Sequence, residues 1–521
     1  MSRRAHAPDA STRTVTAGTD GSYWLTSTAD APPRPGLAGP TSADVCVVGA
    51  GISGLTSALL LARDGLSVQV IEAGAIGPGV SGSTTAKVTA LHGIAYAELE
   101  RDHGIGTVRR YAAANMRALD AIRDLVESEN LACDWQPRSA VTYVTREDRH
   151  TALADEHDAA RRAGLNVRMD DTTDLPFAVA GAIVLEDQAQ FHPRRYLLAL
   201  ADLVERAGGR IAQDTRVSGV SGRGPYAVHT PTGDIACARV VLATRYPVLD
   251  RGLFFARMSV QRSYAIALEL RGPEPEGMYF AAEEPSRSLR VIPRAGTSPL
   301  LLVGGEGHGA GREADGRRHA RLESWARSTF DVGAVVGRWS AQDAIAADKL
   351  PYAGPVPFAG GGVHTITALR KWGLTNGTAA AAVVAALVQD RPHADAGLFS
   401  TTRCPGSAGV ISGARENLVI GRHMIGDRVE SHRHAHDAEL LAPGEGAIVR
   451  LDGELVAGYC DDDGRLHAVS RTCTHLGCEV RFNPDERSWD CPCHGSRFGV
   501  GGEVLEGPAT APLEHAPGDT S

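Results

Sequence analysis

Hydrophobic and polar positions change their period several times along the chain. The segment DVCVVGAGISGLTSALLLARDGLSVQVIEAG has an apolar run at 45–48, a glycine turn, an apolar stripe to about Arg63 and a second apolar run at 68–71. Short apolar runs flanking a helical stripe predict strand, helix and strand, a βαβ unit. Between about 95 and 345, helical patterns such as 106–128 and 193–207 alternate with strand patterns such as 288–292 and 299–304, which predicts a mixed α/β region. From His364 the pattern reads as a strand, a turn at 371–377 and an alanine-rich helix to about Gln389. Residues 390–413 are rich in Pro, Gly and Ser and read as a linker. From about Ala414, short runs broken by Gly and Asp, as in GEGAIVRLDGELVAGYCDDDGRLHAVS, predict an antiparallel all-β module of about 100 residues. The expected division is a flexible leader at 1–40 with one docking segment at 23–25, an α/β domain at 41–393, a linker at 394–415 and an all-β domain at 416–521.

Composition narrows the class of protein. A chain of 521 residues, 43% hydrophobic and 22% charged, has the length for two to four domains at roughly 150 residues each. A net charge of −9, with no run of Lys or Arg longer than two, excludes a polyphosphate ligand, so no nucleic acid is expected. No apolar stretch approaches the roughly 20 residues of a transmembrane helix; the best, 378–388, is too short. Arg3 and Arg4 are not followed by an apolar run, so a cytoplasmic location is expected. Four of the nine cysteines (Cys473, Cys478, Cys491 and Cys493) crowd together near the C-terminus, which points to a site instead of a disulfide framework.

Gly49, Gly51 and Gly54 form GAGISG directly after a predicted strand and, with Ile52 and Ser53, at the head of a helix. Such glycines allow a tight turn and let a pyrophosphate approach the helix N-terminus. Glu72, at the end of the second strand, suits a ribose diol and disfavours NADP. The motif alone leaves FAD and NAD open.

Beyond it, SGSTTAKVTALHG at 81–93, ATRYP at 243–247, SAQDAIAADKLPYAG at 340–354 and LRKWGLTNGTAAAAV at 369–383 resemble the D-amino-acid oxidase-like (DAO) family of FAD oxidoreductases. The resemblance spans about 43 to 390 and implies a Rossmann-like FAD domain with a mixed-sheet substrate region. It implies FAD contacts at Thr84, Thr85 and Ala86 and, in the late turn, at Trp372, Gly373, Leu374, Thr375 and Asn376. The segments that carry a covalent flavin in some relatives offer Ala86 and Lys87 and no cysteine, so noncovalent FAD is expected. Lys87, His92 and Arg370 are candidates near the flavin, and no residue is assigned as catalytic acid or base.

CTHLGC at 473–478 and CPCHGS at 491–496 supply Cys473, His475, Cys491 and His494 as Cys-x-His and Cys-x-x-His pairs. Two thiolates and two imidazoles are what a Rieske [2Fe–2S] cluster needs. Zinc is the alternative, but its usual Cys-x₂₋₄-Cys then His-x₃₋₅-His order is absent. The remaining cysteines, Cys478 and Cys493, stand where similar high-potential Rieske proteins carry a disulfide. That resemblance also implies a Ser496 hydrogen bond to a bridging sulfide, a lid at Leu476 and a third loop at 507–509, while Phe498 replaces a tyrosine donor and tempers the potential.

A flavin takes two electrons and the cluster takes one, so together they convert pair transfer into single-electron transfer. The chain resembles bacterial FAD-dependent oxidoreductases with a C-terminal Rieske domain. The expected function is oxidation of an amine, amino acid or related small molecule, with single electrons leaving to an external partner such as a quinone, ferredoxin or cytochrome. Reverse electron flow in specialised metabolism and a nonenzymatic carrier or redox sensor are the alternatives.

Overall fold

The computed structural model describes residues 21–249, 251–312, 315–404, 407–434 and 437–516, so the first half of the expected leader lies outside the described residues. The βαβ unit forms the centre of an eight-stranded sheet. Its main path runs Tyr352–Pro355, Val363–Thr367, Ile235–Leu242, Thr41–Val48, Val68–Ile71 and Arg210–Ala212, parallel throughout except at the first pair. The last four positions of Thr41–Val48 and all of Val68–Ile71 are buried, as befits parallel strands covered on both faces. Helices Ile52–Arg63 and Gly373–Val388 pack together over this sheet, and a Cβ at Gly377 would lie 2.6 Å from Ser53 Oγ. That close approach ties the late helix to the glycine-rich turn.

The region between the two halves of the nucleotide sheet builds a second, nine-stranded sheet. Its path runs Val332–Ala346, Met258–Leu270, Leu300–Gly309, Arg287–Ile292, Met278–Ala281, Gln136–Val144, Gly181–Gln190 and Lys87–Val88, with Val167–Asp170 paired to Gly181–Gln190. All its pairings are antiparallel except Met278–Ala281 with Gln136–Val144. At the C-terminus, Gly446–Leu451, Glu454–Cys460 and Leu466–Val469 form one antiparallel sheet. Arg481–Asn483, Ser488–Asp490, Arg497–Gly499 and Val504–Glu506 form another.

The docking segment expected at 23–25 is present, with Trp24, in helix Tyr23–Thr26, fully buried in the main core. The linker expectation changes. The segment 394–415, expected as a linker, holds helix Ala396–Phe399 and the start of helix Ser407–His434, which also occupies the first residues of the expected all-β domain. Glycines at 409, 413 and 421 lower its intrinsic propensity, but Ile420 packs into the core of the C-terminal domain and Asn417 Nδ2 donates to Ala256 O at 2.8 Å. Tertiary packing overrides local preference here.

The C-terminal domain docks on the α/β domain through largely buried polar contacts. Arg262 Nη2 lies 3.1 Å from Asp490 Oδ2, with both side chains essentially unexposed. Gln342 Nε2 donates to Gly495 O at 3.0 Å and to Glu506 Oε2 at 3.1 Å. Arg216 Nη2 donates to Val504 O at 3.0 Å, and a Cβ at Gly311 would lie 2.7 Å from Pro492 N. Asp490 is also held by Asn483 Nδ2 at 2.9 Å, Ser488 Oγ at 2.9 Å and Arg497 Nε at 3.4 Å, so losing Arg262 removes one of several partners. Arg262→Met is expected to destabilise the chain by about 1–3 kcal/mol in urea unfolding.

Candidate nucleotide and cluster sites

Strand Thr41–Val48 delivers the chain to Gly49, whose φ of +102° suits glycine. A Cβ at Gly49 would lie 2.6 Å from Ala243 O, and one at Gly54 would collide with the Gly49 carbonyl. The N–H of Ile52 donates to Ser81 Oγ at 3.1 Å. Glu72 accepts the N–H of Ala50 at 2.7 Å and of Gly74 at 3.2 Å, and burial raises its pKa. Carboxylate oxygens retain further lone pairs for a ribose diol. The bare glycine turn at a helix N-terminus, which side chains would fill, therefore fits the pyrophosphate and ribose of a dinucleotide. The side chains of Ile52 and Ser53 face Gly377, leaving only their backbones to the cradle.

The loop carrying Thr84, Thr85 and Ala86 is fixed by donors from distant parts of the chain. Ser22 Oγ reaches Gly82 O at 2.9 Å, Trp339 Nε1 reaches Ser83 O at 2.8 Å, Trp24 Nε1 reaches Thr84 O at 2.8 Å and Arg290 Nη1 reaches Ala86 O at 3.0 Å. Thr84 Oγ1 accepts the N–H of Ala86, which adopts φ +59°, and the Thr85 methyl packs against Gly304. Sequence reading missed Ser22, Arg290 and Trp339 as positioning residues, since each is distant along the chain from this loop.

The turn before helix Gly373–Val388 is strained. Ala368, Arg370 and Lys371 have φ of 59°, 53° and 65°, each costing about 1–3 kcal/mol in a non-glycine residue. Thr367 Oγ1 to Arg245 O, Lys371 Nζ to Ser263 Oγ at 2.8 Å and Arg370 Nη2 to Glu98 Oε2 at 2.5 Å hold it. The side chains expected at a ligand turn elsewhere. Trp372 stacks on His92 at 4.8 Å, Thr375 Oγ1 donates to Thr89 O at 3.0 Å, Asn376 Nδ2 donates to Tyr111 Oη at 3.2 Å and Leu374 joins the core. What this turn offers a flavin is the backbone N–H set of the helix's first turn, beginning at Gly373. Burial lowers the His92 pKa to about 3, and Lys87, pushed well down by burial and by Arg290, donates to Tyr279 O and Ser288 Oγ.

In the C-terminal domain the two motif loops share one design. Gly477 and Gly495, at φ 77° and 70°, donate to Cys473 O and Cys491 O, each at 3.0 Å. Cys473 N donates to Cys478 O and Cys491 N to Ser496 O, each at 2.8 Å, so each cysteine opens a matching turn. A disulfide between Cys478 and Cys493 joins the loops. Cys473, Cys491 and His494 are buried, and the rings of His475 and His494 lie 5.1 Å apart. His475 Nδ1 and both ring nitrogens of His494 are buried without a hydrogen-bond partner. Burial pulls the His475 pKa to about 4 and the His494 pKa to about 3, the neutral form a metal ligand requires. The hydrogen bond between the Cys473 and Cys491 thiols lowers the pKa of the first to about 7 and raises that of the second. Orphaned buried imidazole nitrogens facing paired thiols fit a [2Fe–2S] cluster on Cys473, Cys491, His475 and His494.

Ser496 Oγ accepts the N–H of Ala509 at 3.0 Å, and Phe498 is fully buried in the domain core. Leu476, expected as a lid, is 45% exposed. The α/β domain also covers the histidine side: Tyr246 lies 6.2 Å from His475 and 6.1 Å from His494, and Phe255 lies 6.0 Å from His494.

Comparison with known proteins agrees with this division. The family model described as FAD dependent oxidoreductase (DAO) matches residues 44–387, and the Rieske [2Fe-2S] domain model matches 432–517. The chain is 35% identical over 498 residues to the Rieske 2Fe-2S iron-sulfur protein YhfW of Bacillus subtilis (strain 168), covering 94% of this chain and 96% of that protein. It is 27% identical over 229 residues to gamma-glutamylputrescine oxidoreductase of Escherichia coli (strain K12), covering 43% and 53%. The fold resembles glycine oxidase from Geobacillus kaustophilus, with a TM-score of 0.58 at 20% identity over 70% of this chain and all of that one.

Gly54→Ala is expected to abolish FAD retention while leaving the cluster's visible circular dichroism unchanged. Absorbance and iron content of the purified protein check this; a variant with full flavin would remove Gly54 from the cradle.

Proposed function

The chain belongs to the FAD-dependent oxidoreductase (DAO) family and ends in a Rieske [2Fe-2S] domain; on that premise we propose that it oxidises a small amine or amino acid at FAD and passes the electrons one at a time through its cluster to an external acceptor. The observation that carries this reading is the placement of His475 and His494, whose rings lie within about 6 Å of Tyr246 and Phe255 of the flavin domain. Bound FAD would accept a pair of electrons from substrate, and the cluster would pass them on singly.

The chain's own residues divide the remaining work. The glycine cradle and Glu72 bind the nucleotide, and the N–H groups that open helix Gly373–Val388 stabilise negative charge on the ring system. Substrate contacts are assigned to polar groups beside the strained turn. Lys371 and Ser263 are joined at 2.8 Å, and Asp343, its pKa raised by burial, faces Lys371 and Arg245. A cation next to a carboxylate suits a small zwitterion. The amine and amino-acid class is also what gamma-glutamylputrescine oxidoreductase and glycine oxidase are named for. The external partner is a one-electron acceptor of the quinone, ferredoxin or cytochrome class.

Anaerobic titration with a panel of amines and amino acids tests the proposal. At least one compound is expected to bleach the flavin band near roughly 450 nm and then to produce the reduced-cluster electron paramagnetic resonance signal. If dithionite bleaches the flavin and no compound in the panel does, the substrate reading fails and a carrier role replaces it.

A further inference from the structure

Residues 243–247, ATRYP, leave strand Ile235–Leu242 and touch three functional elements within four residues. Ala243 O packs against Gly49, where a Cβ would lie 2.6 Å away. Arg245 O accepts a hydrogen bond from Thr367, next to the strained turn at 368–371, while Arg245 Nη2 donates to Gly507 O of the cluster domain at 2.7 Å. Tyr246, 1% exposed, then presents its ring edge-on to both cluster histidines, at 6.2 Å and 6.1 Å between centroids.

The local backbone is held for this purpose. Arg245 adopts φ +64°, a conformation that costs a non-glycine residue about 1–3 kcal/mol and persists only where its surroundings enforce it. Three residues of chain span at most about 10 Å, so the contacts of Ala243 and Arg245 fix the tyrosine ring close to the nucleotide cradle and to the flavin-side turn.

We propose that Tyr246 is the bridge through which the flavin site and the cluster exchange electrons. The proposal rests on the internal-relay reading above. With FAD on the glycine cradle and a cluster on Cys473, His475, Cys491 and His494, reduced flavin would supply electrons one at a time, each taken up as ferric iron becomes ferrous and passed on to an external one-electron acceptor, with the flavin's protons released to solvent. Aromatic character of the ring, in edge contact with two imidazoles, is the property the role needs; the hydroxyl is not.

The test uses the full-length protein carrying both cofactors. Flavin is photoreduced anaerobically with EDTA as electron donor, and cluster reduction is followed in wild type, Tyr246→Leu and Tyr246→Phe. The midpoint potentials of both centres and the paramagnetic resonance spectrum of the dithionite-reduced cluster are measured alongside. Tyr246→Leu is expected to slow flavin-to-cluster transfer by more than about tenfold, equivalent to about 1.4 kcal/mol on the barrier, with potentials and spectrum unchanged, while Tyr246→Phe keeps the wild-type rate. Tyr246→Met replaces the leucine variant if that variant loses its cluster. Wild-type transfer rates in Tyr246→Leu or Tyr246→Met overturn the proposal and leave the relay reading standing. Failure of wild-type flavin to reduce the cluster at all overturns both.

Discussion

A dry, charged boundary between two domains is the constraint on which this molecule depends. Arg262 and Asp490 meet across it with almost no exposure, and Gln342, Glu506 and Arg245 extend the polar contact to the loops around the cluster. Buried ion pairs add little net stability compared with apolar packing, yet each one forbids arrangements that leave a charge unpaired. Their contribution here is orientation. They set the C-terminal domain with its histidines against Tyr246 and Phe255, where a loosely tethered domain would present them to solvent. The relationship between the two domains' redox sites rests on this boundary.

Ala86, Arg245, Ala368, Arg370 and Lys371 are five of the sixteen non-glycine residues that adopt left-handed backbone conformations among the described residues, and each of these five lies in a loop assigned to the flavin or beside the cluster. Such conformations are unfavourable for non-glycine residues and survive because neighbouring donors over-determine them. Buried side chains such as Trp24, Trp339, Arg290 and Thr367 supply those donors, so the N-terminal segment and strands of both large sheets serve as supports for the cofactor loops.

The parts of the site legible in the sequence are those whose chemistry is local. Glycines 49, 51 and 54 and the paired Cys and His loops are short-range patterns, because a tight turn or a pair of ligands must come from adjacent residues. Elements made by tertiary contact were not legible. Nothing in ATRYP at 243–247 announces that its tyrosine meets a histidine more than 200 residues away. Helix Ser407–His434 reads as the end of a linker and the start of an all-β domain because local propensities cannot register Ile420 entering the core of a later domain. At 372–376 the position along the chain marks the flavin turn, but Trp372, Thr375 and Asn376 turn their side chains toward His92, Thr89 and Tyr111, which only the packing of helix Ile105–Ser128 reveals.

If the boundary fixes the two sites within one chain, electron exchange between them is unimolecular. The most direct measurement is the rate at which the cluster is reduced after anaerobic flash reduction of the flavin, followed over a wide range of protein concentration. The account predicts a rate constant independent of concentration, and a rate that rises in proportion to concentration would contradict it.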